Sequence, residues 1–153
     1  MDLILWRHAE AAPARPDQDD LERPLTTKGE RHAQRMAEWL NQRLAHSTRV
    51  LVSPALRCQQ TARALGRHFK TVTAIAPGQD AQALLEAARW PQAAEPVLVV
   101  GHQPTLGEVA ALLLGDSSQT WAVKKGAVWW LRDRDREGAA RVVLQAMQSP
   151  DCL

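Results

Sequence analysis

The chain reads as an α/β protein, with a mixed, mostly parallel central sheet flanked by helices on both faces. Three observations predict this. Short apolar runs recur at Leu3-Ile4-Leu5-Trp6, Val50-Leu51-Val52 and Val97-Leu98-Val99-Val100, each too short for a helix and apolar throughout, as a buried parallel strand is. Segments with helical apolar spacing separate them, which is the alternation of crossover-linked parallel strands. Each run then ends in a cationic or imidazole side chain: Arg7-His8, Arg57 after Ser53-Pro54, and His102 after Gly101. Sites in such folds form at the C-terminal ends of the strands.

Residues 2–7 read as the first buried strand. Residues 11–24 hold three prolines and four acids with almost no apolar period, and read as a loop. A helix is expected from Thr27, with Glu30 completing a capping box. Ala33, Met36, Ala37, Leu40 and Leu44 form its inner face. Residues 49–53 are the second strand, and Pro54 suits the first turn of a helix running to about His68, with Leu56, Ala62 and Leu65 inward. Residues 71–75 read as a short strand, Pro77-Gly78 as a turn, and 80–89 as a helix with Leu84, Leu85 and Ala88 inward. After the strand at 97–101, Pro104 opens a helix containing Leu106, Val109, Ala110, Leu113 and Leu114, closed by Gly115. Residues 121–132 and 140–147 complete the set as two strands joined by the charged turn 133–138. Core filling is the expected role of most of the six tryptophans; Trp129 and Trp130 must face opposite ways on such a strand, so one of them is a candidate contact surface.

At 153 residues the chain suits one domain, 1–153, with a real core. No apolar stretch is long enough to span a membrane, and no basic-then-apolar leader opens the sequence. A net charge of +2 gives no nucleic-acid footprint. The expected location is cytoplasmic, with neither membrane nor nucleic acid as partner. Cys58 and Cys152 are too few for a disulfide framework and read as reduced thiols. His8, His32, His46, His68 and His102 show no metal-binding spacing, so no metal or cofactor is expected. Of the 19 basic residues, 15 are Arg, whose planar fork matches phosphate oxygens; base composition of the gene explains most of them.

The chemistry follows from the four strand-end residues. A phosphoryl group in transfer carries charge on three equatorial oxygens, and catalysis is mainly positioning and charge stabilisation. Arg7 and Arg57 each offer two parallel hydrogen bonds. A neutral imidazole is a competent nucleophile if one ring nitrogen is held as a donor and the other is free. His8, directly after its strand, is the candidate nucleophile, and His102 the candidate second donor. Singly, an Arg–His pair, a Ser-Pro turn or a Gly-His turn is weak evidence; their coincidence at three strand ends points to a shared anion site.

Leu5-Trp6-Arg7-His8, Arg23-Pro24-Leu25-Thr26-Thr27-Lys28-Gly29, the run Ser53 to Ala62, and Val99-Val100-Gly101-His102-Gln103-Pro104 resemble, in order and spacing, the RHG, LTxxG, SPxxRxxQTA and second-histidine motifs of the histidine phosphatase (phosphoglycerate-mutase-like) superfamily. The small size and the RPLT wording look most like its SixA-type phosphohistidine phosphatases. The resemblance implies His8 as the phosphorylated nucleophile, with Arg7, Arg57 and His102 as the phosphate pocket. It also places Arg23 near the site, although pairing with Asp19, Asp20 or Glu22 explains that residue as well. Ala9 replaces the motif glycine, which is harmless only at negative φ.

Larger family members use a carboxylic acid to protonate the leaving oxygen. Glu10, Asp80 and Glu86 are the candidates here, and none stands in a motif. An N-linked phosphoryl group leaves more readily than an alkoxide, and little chain is available for a lid. The expected activity is therefore metal-independent removal of phosphate from a phosphohistidine-bearing protein, such as a histidine phosphotransfer domain. A phosphatase for small phosphorylated metabolites such as sugar phosphates, and a non-catalytic phosphate-binding module, are the alternatives.

Overall fold

A computed structural model describes residues 1–115, 119–135, 137 and 141–153. The strands are β1 (Asp2–Arg7), β2 (Arg49–Val52), β3 (Lys70–Thr71), β4 (Val97–Gly101), β5 (Val128–Asp133) and β6 (Val142–Gln148). The helices are α1 (Thr27–Asn41), α2 (Leu56–Arg63), α3 (Ala81–Ala88) and α4 (Thr105–Leu114). One sheet runs in the order β3-β2-β4-β1-β5-β6. Strands β1 to β4 pair in parallel, and β5 and β6 add antiparallel. The fold is thus the expected mixed, mostly parallel α/β architecture.

Alternation along the strands builds two cores. Leu3, Leu5, Leu51, Val97, Val99 and Leu131 face α3 and α4. Ile4, Trp6, Val50, Val52, Leu98, Val100, Val128 and Trp130 face α1 and α2. Continuous apolar runs are needed because both faces are covered. This topology also decides where the chemistry falls. Strand β4 inserts between β1 and β2, and Arg7 aligns with Gly101 and Val52 with Val100. Segments distant in sequence therefore end side by side.

Several elements differ from the sequence expectation, each for a local reason. The α1 cap is Thr26, not Thr27: its Oγ1 accepts from the Gly29 amide at 3.0 Å. That frame seats Gly29 against Glu10, where an added Cβ would collide with the Glu10 carbonyl oxygen. Helix α2 starts at Leu56 rather than Pro54, because Ser53 Oγ takes the Ala55 amide and Ala55 is the cap. It stops at Arg63 rather than near His68, giving way to i→i+3 turns that end at Gly66 with φ of 66°. Leu56 and Leu85 are half-buried rather than fully inward.

Strand β3 covers only Lys70–Thr71, and Thr73–Ile75 is a 3-10 turn. Residues 121–127 are irregular instead of strand: the Trp6 indole donates to the Gly126 carbonyl at 3.0 Å, and Gly126 N–H donates back to His8 O at 2.9 Å. Gly126 adopts φ of 76° to make this approach. Trp130 is buried, donating to Asp2 Oδ2 at 3.0 Å, while Trp129 packs beside Trp121 at 5.8 Å between ring centroids. Trp130 is thus in the core and Trp129 is half-buried. The 133–138 turn lies partly outside the described residues; at its base Arg141 forms a two-bond ion pair with Asp133, at 2.6 and 2.9 Å.

Candidate active site

His8 follows β1 directly. Its amide donates to Gly101 O at 3.1 Å, tying it to the end of β4. Its ring Nδ1 lies 2.7 Å from the Ala9 carbonyl. A carbonyl only accepts, so this bond places the proton on Nδ1 and leaves Nε2 with its lone pair. The residue is 6% exposed. Burial, aided by the charges of Arg57, Arg7 and Arg23, pushes its pKa down to about 4, so the ring is neutral near pH 7.

His102 directly follows β4, 4% exposed, with its ring centroid 5.3 Å from that of His8. Its Nε2 meets Ser53 Oγ at 2.7 Å and Cys58 Sγ at 3.4 Å. Ser53 Oγ also accepts from Ala55 N–H, and its hydroxyl can donate to Nε2. In that arrangement the neutral His102 ring carries its proton on Nδ1. Burial, then the charges of His8 and Arg57, lower its pKa to about 3. The Cys58 thiol is itself pushed up to about 12 by burial and stays protonated.

Arg57, 3% exposed, lies in the first turn of α2. Its Nη1 donates to Asp20 O at 2.7 Å and its Nη2 to Asp20 Oδ2 at 3.0 Å. Asp20 belongs to a short 3-10 turn, Asp20–Glu22, inside the 11–24 loop. Its Oδ1 accepts from Arg23 Nε at 2.9 Å, and Arg23 Nη1 is anchored on Ala12 O at 2.8 Å. Arg23 thus both pairs with an acid of its own loop and sits beside the cluster, joining the two explanations of this residue. Arg7 donates through Nη1 to Val123 O at 2.9 Å. The Nε atoms of Arg7 and Arg57 are buried with no hydrogen-bond partner. Buried donors of that kind suit a site that receives an anion.

The remaining motif residues hold this cluster in place. Thr61 Oγ1 donates to Arg57 O at 2.7 Å and accepts from Ala9 N–H at 3.1 Å, linking α2 to the residue after His8. Gln60 Oε1 accepts from Leu25 N–H at 2.7 Å, fastening the loop's exit to the same helix. Ala9 carries no backbone strain: among the described non-glycine residues only Arg89 and Asp135 have positive φ. Its methyl packs in a small buried group with Leu25 and Ala33.

The three acid candidates each have a hydrogen-bond partner. Glu10 Oε1 accepts from the Thr26 hydroxyl at 2.9 Å, Asp80 caps α3, and Glu86 is exposed, bonded to Gln82. Sequence reasoning missed Asp20 as a pocket neighbour and Ser53, Thr61 and Cys58 as supports. Ser53 and Thr61 are constant letters of a motif that was in view, but a one-dimensional pattern does not say which backbone atoms they reach. Among the described residues, no group of three or more His, Cys, Asp or Glu side chains could hold a metal ion. The positive charge of the cluster comes from arginines.

Comparison with known proteins gives the same picture. A family model for the histidine phosphatase superfamily (branch 1) matches residues 3–80. The phosphohistidine phosphatase SixA of Escherichia coli K12 is 34% identical over 122 residues, covering 74% of each chain. An uncharacterised protein of Picosynechococcus is 39% identical over 150 residues, 93% of this chain and 88% of that one. A solved structure of the protein histidine phosphatase SixA with tungstate superposes with a TM-score of 0.81 at 26% identity, covering 99% of both chains. The chain belongs to the histidine phosphatase superfamily and, within it, is a phosphatase of the SixA type.

Proposed function

We propose that this phosphatase removes phosphate from phosphohistidine carried on a partner protein, by way of a covalent phospho-His8 intermediate. One observation carries the covalent step: a buried, neutral His8 whose Nδ1 is fixed on the Ala9 carbonyl. Nε2 attacks phosphorus as the substrate's N–P bond breaks. Arg7, Arg57 and His102 Nδ1–H hold the equatorial oxygens, and Arg23 adds charge from the loop. Water then attacks the phosphoenzyme, releasing dihydrogen phosphate and restoring neutral His8. Positive charge from protein side chains supplies the electrostatic stabilisation, so the proposed reaction uses no metal or cofactor.

Two features support a protein-borne, N-linked substrate. An alkoxide leaving group needs a protonated acid; Asp80 caps α3, Glu86 is bonded to Gln82, and Glu10, which lines the groove beside Arg7, has its Oε1 engaged by the Thr26 hydroxyl. Beside Arg7 lies an open groove of about 310 Å³ lined by Glu10, Lys28, His32, Lys124, Lys125 and Asp151. It holds three of the chain's four lysines; Lys124 is paired with Asp151 at 2.8 Å, and Lys28 and Lys125 add positive charge suited to acidic side chains flanking a phosphohistidine. The test is phosphate release from a histidine-phosphorylated phosphotransfer domain, beside p-nitrophenyl phosphate and a sugar phosphate at equal enzyme. The reading predicts the highest kcat/KM on the phosphoprotein. Faster turnover of the sugar phosphate would assign a metabolite phosphatase instead, and phosphate binding with no turnover of any substrate would assign a binding module.

A further inference from the structure

Asp20 is the carboxylate bonded directly to Arg57, yet nothing in the covalent scheme above uses it. It accepts from Arg57 through Oδ2 and from Arg23 through Oδ1, and Arg23 is independently anchored on Ala12 O. If a phosphoryl oxygen takes the Arg57 fork, Arg23 still holds Oδ1 while Oδ2 becomes free. The Asp20 side chain is 54% exposed, whereas His8 and Arg57 are buried. The carboxylate therefore stands at the mouth and the nucleophile at the floor. In-line transfer sends the leaving group away from the nucleophile, toward the mouth.

We propose that Asp20 determines leaving-group specificity: its freed carboxylate oxygen accepts a hydrogen bond from the ring N–H of a substrate phosphoimidazole and so favours N-linked over O-linked phosphoryl groups. This rests on the phosphohistidine reading. The chemistry balances without a proton donor. A phosphoimidazole protonated on its second nitrogen loses phosphorus to His8 Nε2; the N–P electron pair returns to the ring, which departs as neutral imidazole with the N–H it already carried. Unprotonated, it would have to leave as imidazolate. A nearby carboxylate favours the protonated cation. The Ala9 carbonyl makes the equivalent bond to Nδ1–H of His8, so the two imidazoles exchanging phosphorus would be supported alike.

The state of Asp20 suits this role and not that of an acid. Burial works to raise its pKa, but hydrogen bonds from Arg23 and Arg57, with their charges, outweigh it and hold the group ionised. The groups around it are Arg57 from α2, Arg23 from its own loop and His102 from the end of β4, whose pKa Asp20 pushes upward. With a phosphoryl oxygen on Arg57, the Arg23 pair remains to keep the carboxylate charged. An anion at the mouth would also disfavour a departing phenolate or alkoxide.

The test compares Asp20→Asn with the wild type on a synthetic phosphohistidine peptide and on p-nitrophenyl phosphate, across pH 5–9. The expected loss in kcat/KM is roughly tenfold on the peptide, and the fall of peptide turnover with rising pH should begin about one unit lower in the variant. Turnover of p-nitrophenyl phosphate, which has no ring N–H to offer, should fall less than peptide turnover, so the ratio of the two kcat/KM values drops in the variant. Equal losses on both substrates would show that Asp20 only positions Arg57, and unchanged peptide turnover would show that it has no part; either overturns the proposal. Melting curves and inorganic-phosphate binding on the same samples establish folding and an intact pocket, and Asp20→Glu should restore part of the peptide preference. A wild type that turns over p-nitrophenyl phosphate but not the peptide would instead refute the phosphohistidine reading itself.

Discussion

His8 and His102 stand at strand ends, whereas Asp20 and Arg23 stand on a loop, and the two pairs are held by different means. The histidines are buried and fixed by bonds to neighbouring main chain and motif side chains: Ala9 O and Gly101 O for His8, Ser53 Oγ for His102. The loop pair adds charge to its main-chain bonds: Arg23 is anchored on Ala12 O and Arg57 on Asp20 O, but the Asp20 carboxylate itself is held by ion pairs to Arg57 and Arg23 at a half-exposed position. Main-chain bonds in a core do not exchange with solvent ions, while exposed ion pairs are weak and exchange readily. The difference teaches where the pocket is preformed and where it has to yield: the phosphoryl group meets a fixed floor and competes with a carboxylate for Arg57.

That contrast can be broken from either side. The largest effect is expected at the floor. His8→Ala should abolish the phosphoenzyme and lower kcat by about 10⁴-fold or more, as loss of a nucleophile does, read as phosphate release at equal protein. Arg57→Lys keeps the charge but loses the fork, and kcat/KM should fall on the order of 10²-fold. Gly29→Ala attacks the joint between floor and loop. Its Cβ would meet the Glu10 carbonyl, and stability should drop by about 1–3 kcal/mol in chemical denaturation.

Lower pH sharpens the comparison further. His8 and His102 have folded pKa values near 4 and 3, below the ordinary 6.5. The unfolded chain therefore binds more protons between these limits, and their contribution to stability is complete above about pH 6.5 and is lost as pH falls toward 4. Melting temperature should fall over that window, and His102→Asn should flatten the fall. The nucleophile itself stays neutral there, so turnover of p-nitrophenyl phosphate should keep no acidic limb at 6.5 arising from His8. The smallest effect is expected at Ala9→Gly. The native φ is not positive, so the family glycine should leave kcat within about twofold while costing about 0.5–1 kcal/mol of stability.

Much of this was legible in the sequence because strand-end chemistry and two-sided burial both leave local marks. Val97 to Gly101 is apolar throughout because both faces of β4 are covered, and its boundaries match those read from the sequence. The four strand-end residues were visible because each follows an apolar run. What was illegible depends on contacts across the chain. Thr26 rather than Thr27 caps α1 because Gly29 has to reach the Glu10 backbone, and residues 121–127 abandon strand geometry to bond Trp6, Arg7 and His8. Asp20 looked like one acid among four in a polar loop. Only the fold brings it to Arg57, 37 positions away.

The most direct test is trapping of the phosphoenzyme. The protein is mixed with a labelled phosphohistidine-bearing phosphotransfer domain, quenched in base and mapped. Acid-labile label on His8, absent in His8→Ala and followed by phosphate release in the wild type, is the predicted result. Phosphate release from the same domain with label on another residue, or with full activity retained in His8→Ala, would contradict the account.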